Sequence, residues 1–272
     1  MNRYYPLLRI FPMLSAGFLH AQDLIPMHPT MQALGNMRST YPAASFNPAH
    51  RASIEHASVS LFHNNHFIRS GLSQNGIEWI NPLAGHFGSL SMTYTGLHGY
   101  REISLLGSWA IPVEARSQVG AGLGFLWITQ GNVASHWRPI YRLGTNWQAT
   151  KMLAFSMLLE GSWSIPSIST GWRYSPNEKV NLMVEMYHSP GKKISFNVGM
   201  DYALHPSWFI RSGISAPEGN MSFGAQFSRK KSANISLFWA QHPYLGSSTG
   251  ISLTVLVNRS SHAPAHSIRH PI

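Results

Sequence analysis

The hydrophobic pattern is clearest in Gln118-Val119-Gly120-Ala121-Gly122-Leu123-Gly124-Phe125-Leu126-Trp127. Val119, Ala121, Leu123, Phe125 and Trp127 form one apolar face, while Gln118, three glycines and Leu126 form the other. A period of two is the signature of a β-strand with unlike faces. The stretch Ile194–Tyr202 repeats it, with Ser195, Asn197, Gly199 and Asp201 on the second face. Further segments follow at regular spacing. They centre on Ala57–Leu61, Phe67–Ile80, Leu90–Tyr94, Ile103–Trp109, Tyr141–Trp147, Leu153–Leu159, Ile168–Tyr174 and Val180–Met186, then on Trp208–Ile214, Met221–Phe227, Ile235–Trp239 and Ile251–Val257. Short connectors rich in Pro, Gly, Asn and Ser separate them, such as Ser189-Pro190-Gly191 and Ala216-Pro217-Glu218-Gly219.

This pattern predicts an all-β fold: a transmembrane antiparallel up-and-down β-barrel of about fourteen strands, apolar toward lipid, its lumen lined by small and polar residues. An even strand number places both chain ends on one side of the membrane. Trp109, Trp127, Trp147, Trp172, Tyr174, Tyr202, Trp208 and Trp239 fall toward strand ends. That is where an interfacial girdle belongs.

Composition sharpens the choice between a soluble sandwich and a barrel. Only 11% of the 272 residues are charged, against roughly 25% in soluble domains. Mean hydropathy is nonetheless −0.09. Charge is scarce without a gain in hydrophobicity, which suits a wall with one lipid face and one lumen face. No apolar run reaches the ~18 residues of a membrane helix. A soluble secreted β-protein is disfavoured by the same lack of charge.

Residues 1–21 read as a signal peptide, with Arg3 and Arg9 ahead of the apolar run Ile10–Leu19 and Ala21 before the cleavage point. Residues 22–54 do not alternate and hold Pro26, Pro29, Pro42 and Pro48. Backbone of that kind cannot sit in a membrane-spanning ladder and must be shielded. It is expected to form an N-terminal hatch or plug. The barrel is assigned to 55–257 and a flexible periplasmic tail to 258–272.

Within the hatch, Ala33-Leu34-Gly35-Asn36 is followed by Ala44-Ser45-Phe46-Asn47-Pro48-Ala49. This pair resembles the N-terminal signature of the outer-membrane long-chain fatty-acid transporter (FadL)-like superfamily, including the PorV/PorQ-like proteins of the type IX secretion system. The turns Gly96–Glu102 and His242–Ser248 resemble others of that group. The resemblance implies that Leu34, Gly35, Asn36, Phe46, Asn47, Pro48 and Ala49 belong to a hatch inside the barrel or at its periplasmic mouth. Two departures stand out. Acidic residues usual between the two elements are replaced by Met37–Ala43, including Arg38, and the usual glycine after Asn-Pro-Ala is His50.

The chemistry in the strands is sparse. Arg142, Glu160, Arg173, Glu185, Asp201 and Arg211 are assigned to the lumen, since a midplane Arg or Lys facing lipid would cost roughly 2–4 kcal/mol. They serve either to hold the lumen together as ion pairs or to form a constriction that selects a solute. The formal charge is +10, but Lys and Arg are scattered and form no nucleic-acid motif, so no nucleic-acid partner is expected. There is no Cys, hence no disulfide or thiolate metal site. Fifteen His occur without a His-Glu-x-x-His motif, and His262, His266 and His270 lie in the tail beside prolines. No metal or other cofactor is expected. Two Asp in all and no Gly-x-Ser-x-Gly leave hydrolytic catalysis unsupported, so the chain is read as a non-enzyme.

The expected function is that of an outer-membrane, FadL-like barrel passing small or hydrophobic solutes by passive diffusion. The alternative is a non-transporting PorV/PorQ-like partner protein of the type IX secretion system. Its expected partners are outer-membrane lipid and the outer-membrane assembly machinery, with secretion-system components under the alternative.

Overall fold

The computed structural model describes residues 28–41, 46–54, 56–68, 71–83, 86–131, 133–162, 165–229 and 232–257. The expectations for the signal peptide and the His-containing tail lie outside them.

Fourteen strands follow one another in chain order. They are β1 (Ala57–His66), β2 (Leu72–Leu83), β3 (His86–Leu97), β4 (Tyr100–Glu114), β5 (Ser117–Gln130), β6 (Val133–Gln148) and β7 (Leu153–Ser162). The second half comprises β8 (Ile165–Asn177), β9 (Val180–His188), β10 (Ser195–His205), β11 (Trp208–Ala216), β12 (Asn220–Arg229), β13 (Ala233–His242) and β14 (Gly246–Val257). Each pairs antiparallel with its sequence neighbours, and β1 pairs with β14, so the sheet closes into a barrel. Closure leaves no edge strand with unpaired backbone groups, the condition for a sheet to stand in hydrocarbon.

The registers place the alternation as read from sequence. Ser60 pairs with Thr254 and Glu78, and Arg142 with Glu160, all inward. Outward positions are apolar and exposed: Leu123 is 74% accessible, Trp137 62% and Trp172 60%. A continuous apolar exterior with a buried polar interior inverts the soluble arrangement and fits lipid as the surrounding solvent. Among the described residues the tryptophans lie toward strand ends, with Trp79 and Trp137 joining the girdle.

Three boundaries differ from the pattern reading. β2 starts at Leu72 rather than Phe67, because Phe67 has φ +49° and belongs to the turn after β1. β6 starts at Val133, well before Tyr141, because the first part of the strand carries Ser135, His136, Arg138 and Pro139 and lacks alternation. β11 runs on to Ala216.

One larger correction concerns the lumen. It is not lined by small and polar residues alone: Leu106, Leu158, Met183 and Phe238 are buried on the inward face. The reason for two of them lies in what fills the barrel. Residues 29–32 form a four-residue helix, α1 (Pro29–Gln32), and Pro48–Ser53 form a 3₁₀ helix. Both lie against the inner wall. Met31, Leu34, Met37, Tyr41 and Phe46 of this segment cluster with Leu158 of β7 and Met183 of β9.

Candidate functional site

The N-terminal segment begins at α1, whose N-cap His28 accepts the Thr30 amide through its ring nitrogen at 3.3 Å. Pro29 is at the first helical position, where its missing N–H costs nothing. Leu34 is fully buried. Gly35 and Asn36 have φ of +72° and +65°, the left-handed region that Gly and Asn tolerate best, and they turn the chain out of the helix. The Gly35 amide donates to the Ser222 hydroxyl of β12 at 2.9 Å.

The second element is built around Asn47. Its side-chain oxygen accepts the Ala49 amide at 3.0 Å, capping the 3₁₀ helix, and Pro48 occupies the first position of that helix. Its amide nitrogen donates to the Ser39 carbonyl at 3.0 Å and to Thr145 and Met157 carbonyls of the wall at 3.3 and 3.4 Å. One side chain therefore caps a helix, fixes the preceding turn and ties both to β6 and β7. The Phe46 ring lies under the Arg142 guanidinium, 3.6 Å from its centre, with that of Arg38 at 5.7 Å.

The six ionisable wall residues assigned to the lumen all point inward, and the segment is arranged on them. Arg38 meets Glu160 at 2.7 Å, and Arg142 meets the other oxygen of Glu160 at 3.5 Å. The Glu185 carboxylate is fully buried and accepts the Arg38 amide at 3.0 Å, the Ser39 amide at 2.6 Å and the Ser39 hydroxyl at 2.7 Å. Successive amides converging on one anion form a nest. Arg211 pairs with Asp201 at 3.2 Å and donates to the Tyr41 hydroxyl and Gln226 at 2.8 Å each. Arg173 is half-buried and donates to Gln148 at 3.4 Å.

Three participants were missed by the sequence reading: Glu78, Arg51 and Arg38. Glu78 of β2 meets Arg51 at 3.0 Å, and Arg38 was noted only as a departure from the acidic pattern. With Arg in place of acid on the segment, the carboxylates come from the wall. Buried charges of this kind are tolerated only when paired and hydrogen-bonded.

Wall glycines supply the room. A Cβ on Gly120 of β5 would stand 2.5 Å from the Pro48 carbonyl carbon, and one on Gly199 of β10 would stand 2.8 Å from the Leu34 carbonyl oxygen. A Cβ on Gly213 of β11 would run into the Leu34–Gly35 peptide. These inward glycines trace the path of the segment across the sheet and let two backbones touch.

Above this seam, on the side away from the start of β1, β4–β6 turn apolar residues into the lumen among polar ones. Leu106, Leu126, Ile128 and Ile140 have the same parity as the inward Gly120 and Arg142; Leu106 and Ile140 flank Gly124, while Leu126 lies between Ser104 and Arg138 and Ile128 between Glu102 and His136. Among the described residues, no cluster of His, Asp or Glu has the makings of a metal site.

No family model matches the chain, and no curated protein matches it. Solved structures do. The CymD monoaromatic hydrocarbon channel superposes with a TM-score of 0.68 at 12% identity, covering 87% of this chain and 99% of that one. The toluene transporter TbuX of Ralstonia pickettii gives 0.65 at 11%, covering 86% and 98%. A Pseudomonas aeruginosa FadL homologue gives 0.62 at 12%, covering 85% and 98%. The PorV/PorQ-like alternative gains no support from these matches. At such identities the likeness is one of architecture, and the chain shares the fold of these proteins over most of its length.

Proposed function

We propose that the protein is an outer-membrane channel for passive entry of small hydrophobic solutes, closed at rest by the segment spanning residues 28–54 as a hatch. The observation that carries this reading is the apolar cluster of Met31, Leu34, Met37, Tyr41, Phe46, Leu158 and Met183, set inside the barrel. A water-filled pore for polar solutes has no use for a greasy seam. A channel whose hatch shifts along such a seam opens a path that an apolar molecule can wet. Leu106, Leu126, Ile128 and Ile140, on the side away from the start of β1, add apolar surface to the lumen. The matched channels named for monoaromatic hydrocarbons and toluene support the same class of solute.

In this reading Arg38, Glu160, Glu185, Asp201 and Arg211 latch the hatch and do not filter solute. Proteoliposomes holding the purified barrel should take up radiolabelled toluene faster than protein-free liposomes, and should admit a neutral pentose little faster than the control. Pentose entry exceeding toluene entry would overturn the reading in favour of an aqueous diffusion pore.

A further inference from the structure

At the rim where β1 begins and β14 ends, the segment and the wall leave a recess of about 220 Å³ lined by His50, Ala115, Arg116, Gln118, Asn146, Gln148 and Arg173. Arg116 lies in the turn between β4 and β5, and Arg173 on the inward side of β8. The chemistry of this lining is one-sided. It contains two guanidinium groups and no carboxylate.

Deeper in the lumen most inward arginines are matched, Arg138 of β6 apart. Arg38, Arg51, Arg142 and Arg211 each meet an acid. Arg173 and Arg116 are in no ion pair with any described residue. The side-chain contact of Arg173 is the long one to the Gln148 oxygen, 3.4 Å. The neutral groups lean the same way. The Gln118 oxygen is engaged by the Asn146 amide at 3.1 Å, and the Asn146 oxygen accepts the Ser156 hydroxyl at 3.0 Å. Acceptors are thus satisfied within the wall, while the guanidinium groups and the Gln118 amide nitrogen remain as donors. A half-buried guanidinium without a counter-charge is unfavourable, and its planar fork suits a two-oxygen anion.

We propose that this recess binds a small oxoanion, a carboxylate or a phosphate, gripped by Arg173 and Arg116 with the Gln118 amide as a third donor. The site straddles wall and hatch. His50, which forms one side, is tied through its Nε2 to the Ser39 carbonyl at 2.6 Å, so the anion would sit beside the residue that docks on Glu185. The recess is wide enough for inorganic phosphate with some water, or for a compact aromatic carboxylate.

The test uses the full chain in nanodiscs of phosphatidylcholine, titrated calorimetrically with inorganic phosphate and, separately, with benzoate. One saturable site is expected for at least one probe. Losing a charge-assisted grip should weaken that binding about tenfold or more in Arg173→Gln, and less in Arg116→Gln. Lys151→Gln, on a neighbouring turn outside the recess, should bind as the parent does. Heat-modifiable migration of each variant certifies that the barrel is folded.

A second set of discs containing phosphatidylglycerol separates the sources of the anion. If the anionic lipid competes with the probes, the natural occupant is a headgroup phosphate; if it does not, the occupant is a soluble oxoanion. No saturable binding of either probe, an adventitious ion only, or undiminished binding in folded Arg173→Gln overturns the proposal. None of these readouts depends on solute flux, so the outcome is independent of the channel reading.

Discussion

Glu185, buried on β9, receives both the amide and the hydroxyl of Ser39, at 2.6 and 2.7 Å. This pair joins the wall to the N-terminal segment where the chain turns between its two motif elements. A hydrogen bond to a charged group contributes about 1.5–3 kcal/mol, and stripping one partner from a buried charged network costs about 3–5 kcal/mol. Glu185→Ala is therefore expected to loosen the segment. Planar-bilayer recordings should show raised conductance or long open bursts, with Glu185→Gln intermediate. A closed, parent-like trace from Glu185→Ala would show that the latch lies elsewhere.

Steric room makes a second prediction. A Cβ on Gly213 collides with the Leu34–Gly35 peptide, whereas one on Gly107 finds its nearest neighbour, the Leu123 carbonyl oxygen, at 3.8 Å. Overpacking of that kind costs about 1–3 kcal/mol. Gly213→Ala should raise conductance while the barrel keeps its heat-modifiable migration, and Gly107→Ala should change neither. The contrast is read in one bilayer experiment.

The lipid face is tested at adjacent residues. Leu123 is 74% exposed on the outer surface, and Gly122 is buried on the inner one. Leu123→Arg should cut insertion into liposomes sharply, at a cost of roughly 2–4 kcal/mol near the midplane. Gly122→Ser should insert normally, because the nearest atom to its new side chain is the Ser108 hydroxyl, which can rotate aside. Equal insertion of the two would contradict the register of β5.

Acid should weaken docking of the segment. Burial, reinforced by the charge of Arg173, brings the His50 pKa down from 6.5 to about 4. The docked state therefore holds the neutral imidazole, and the released state takes up a proton more readily. Docking is fully favoured above about pH 6.5 and loses support as the pH falls toward 4. His28, lowered to about 4 by burial, works in the same direction. Open probability should rise between these limits, and the rise should be shallower in His50→Gln and shallowest with His28→Gln added.

Much of the barrel was legible because lipid enforces a strict code. An inward Arg142 or Asp201 cannot be moved by one register without meeting hydrocarbon, so face assignment follows from alternation alone. The charges that the N-terminal segment brings to the wall were not legible. Arg38 and Arg51 lie in a segment without periodicity, where sequence gives no geometry. The glycines of β5 and β10 were visible as small inward residues, but their fit to Pro48 and Leu34 is a property of two surfaces together. One signal was present and passed over. Alternation breaks at Met157-Leu158-Leu159 and Leu182-Met183-Val184, and these inward apolar residues are the ones that pack on the segment.

The account stands most directly on one comparison of conductance. Deleting Asp23–Met37 from the full chain removes α1 and the Leu34–Gly35–Asn36 turn, and with them Met31, Leu34 and Met37 of the apolar seam. The fourteen strands pair only with one another, so the shortened protein should still insert and migrate as a heat-modifiable barrel. Its conductance in planar bilayers, and its uptake of toluene in proteoliposomes, should both exceed those of the full chain. A folded deletion variant with unchanged conductance and unchanged uptake would contradict the claim that this segment closes the channel.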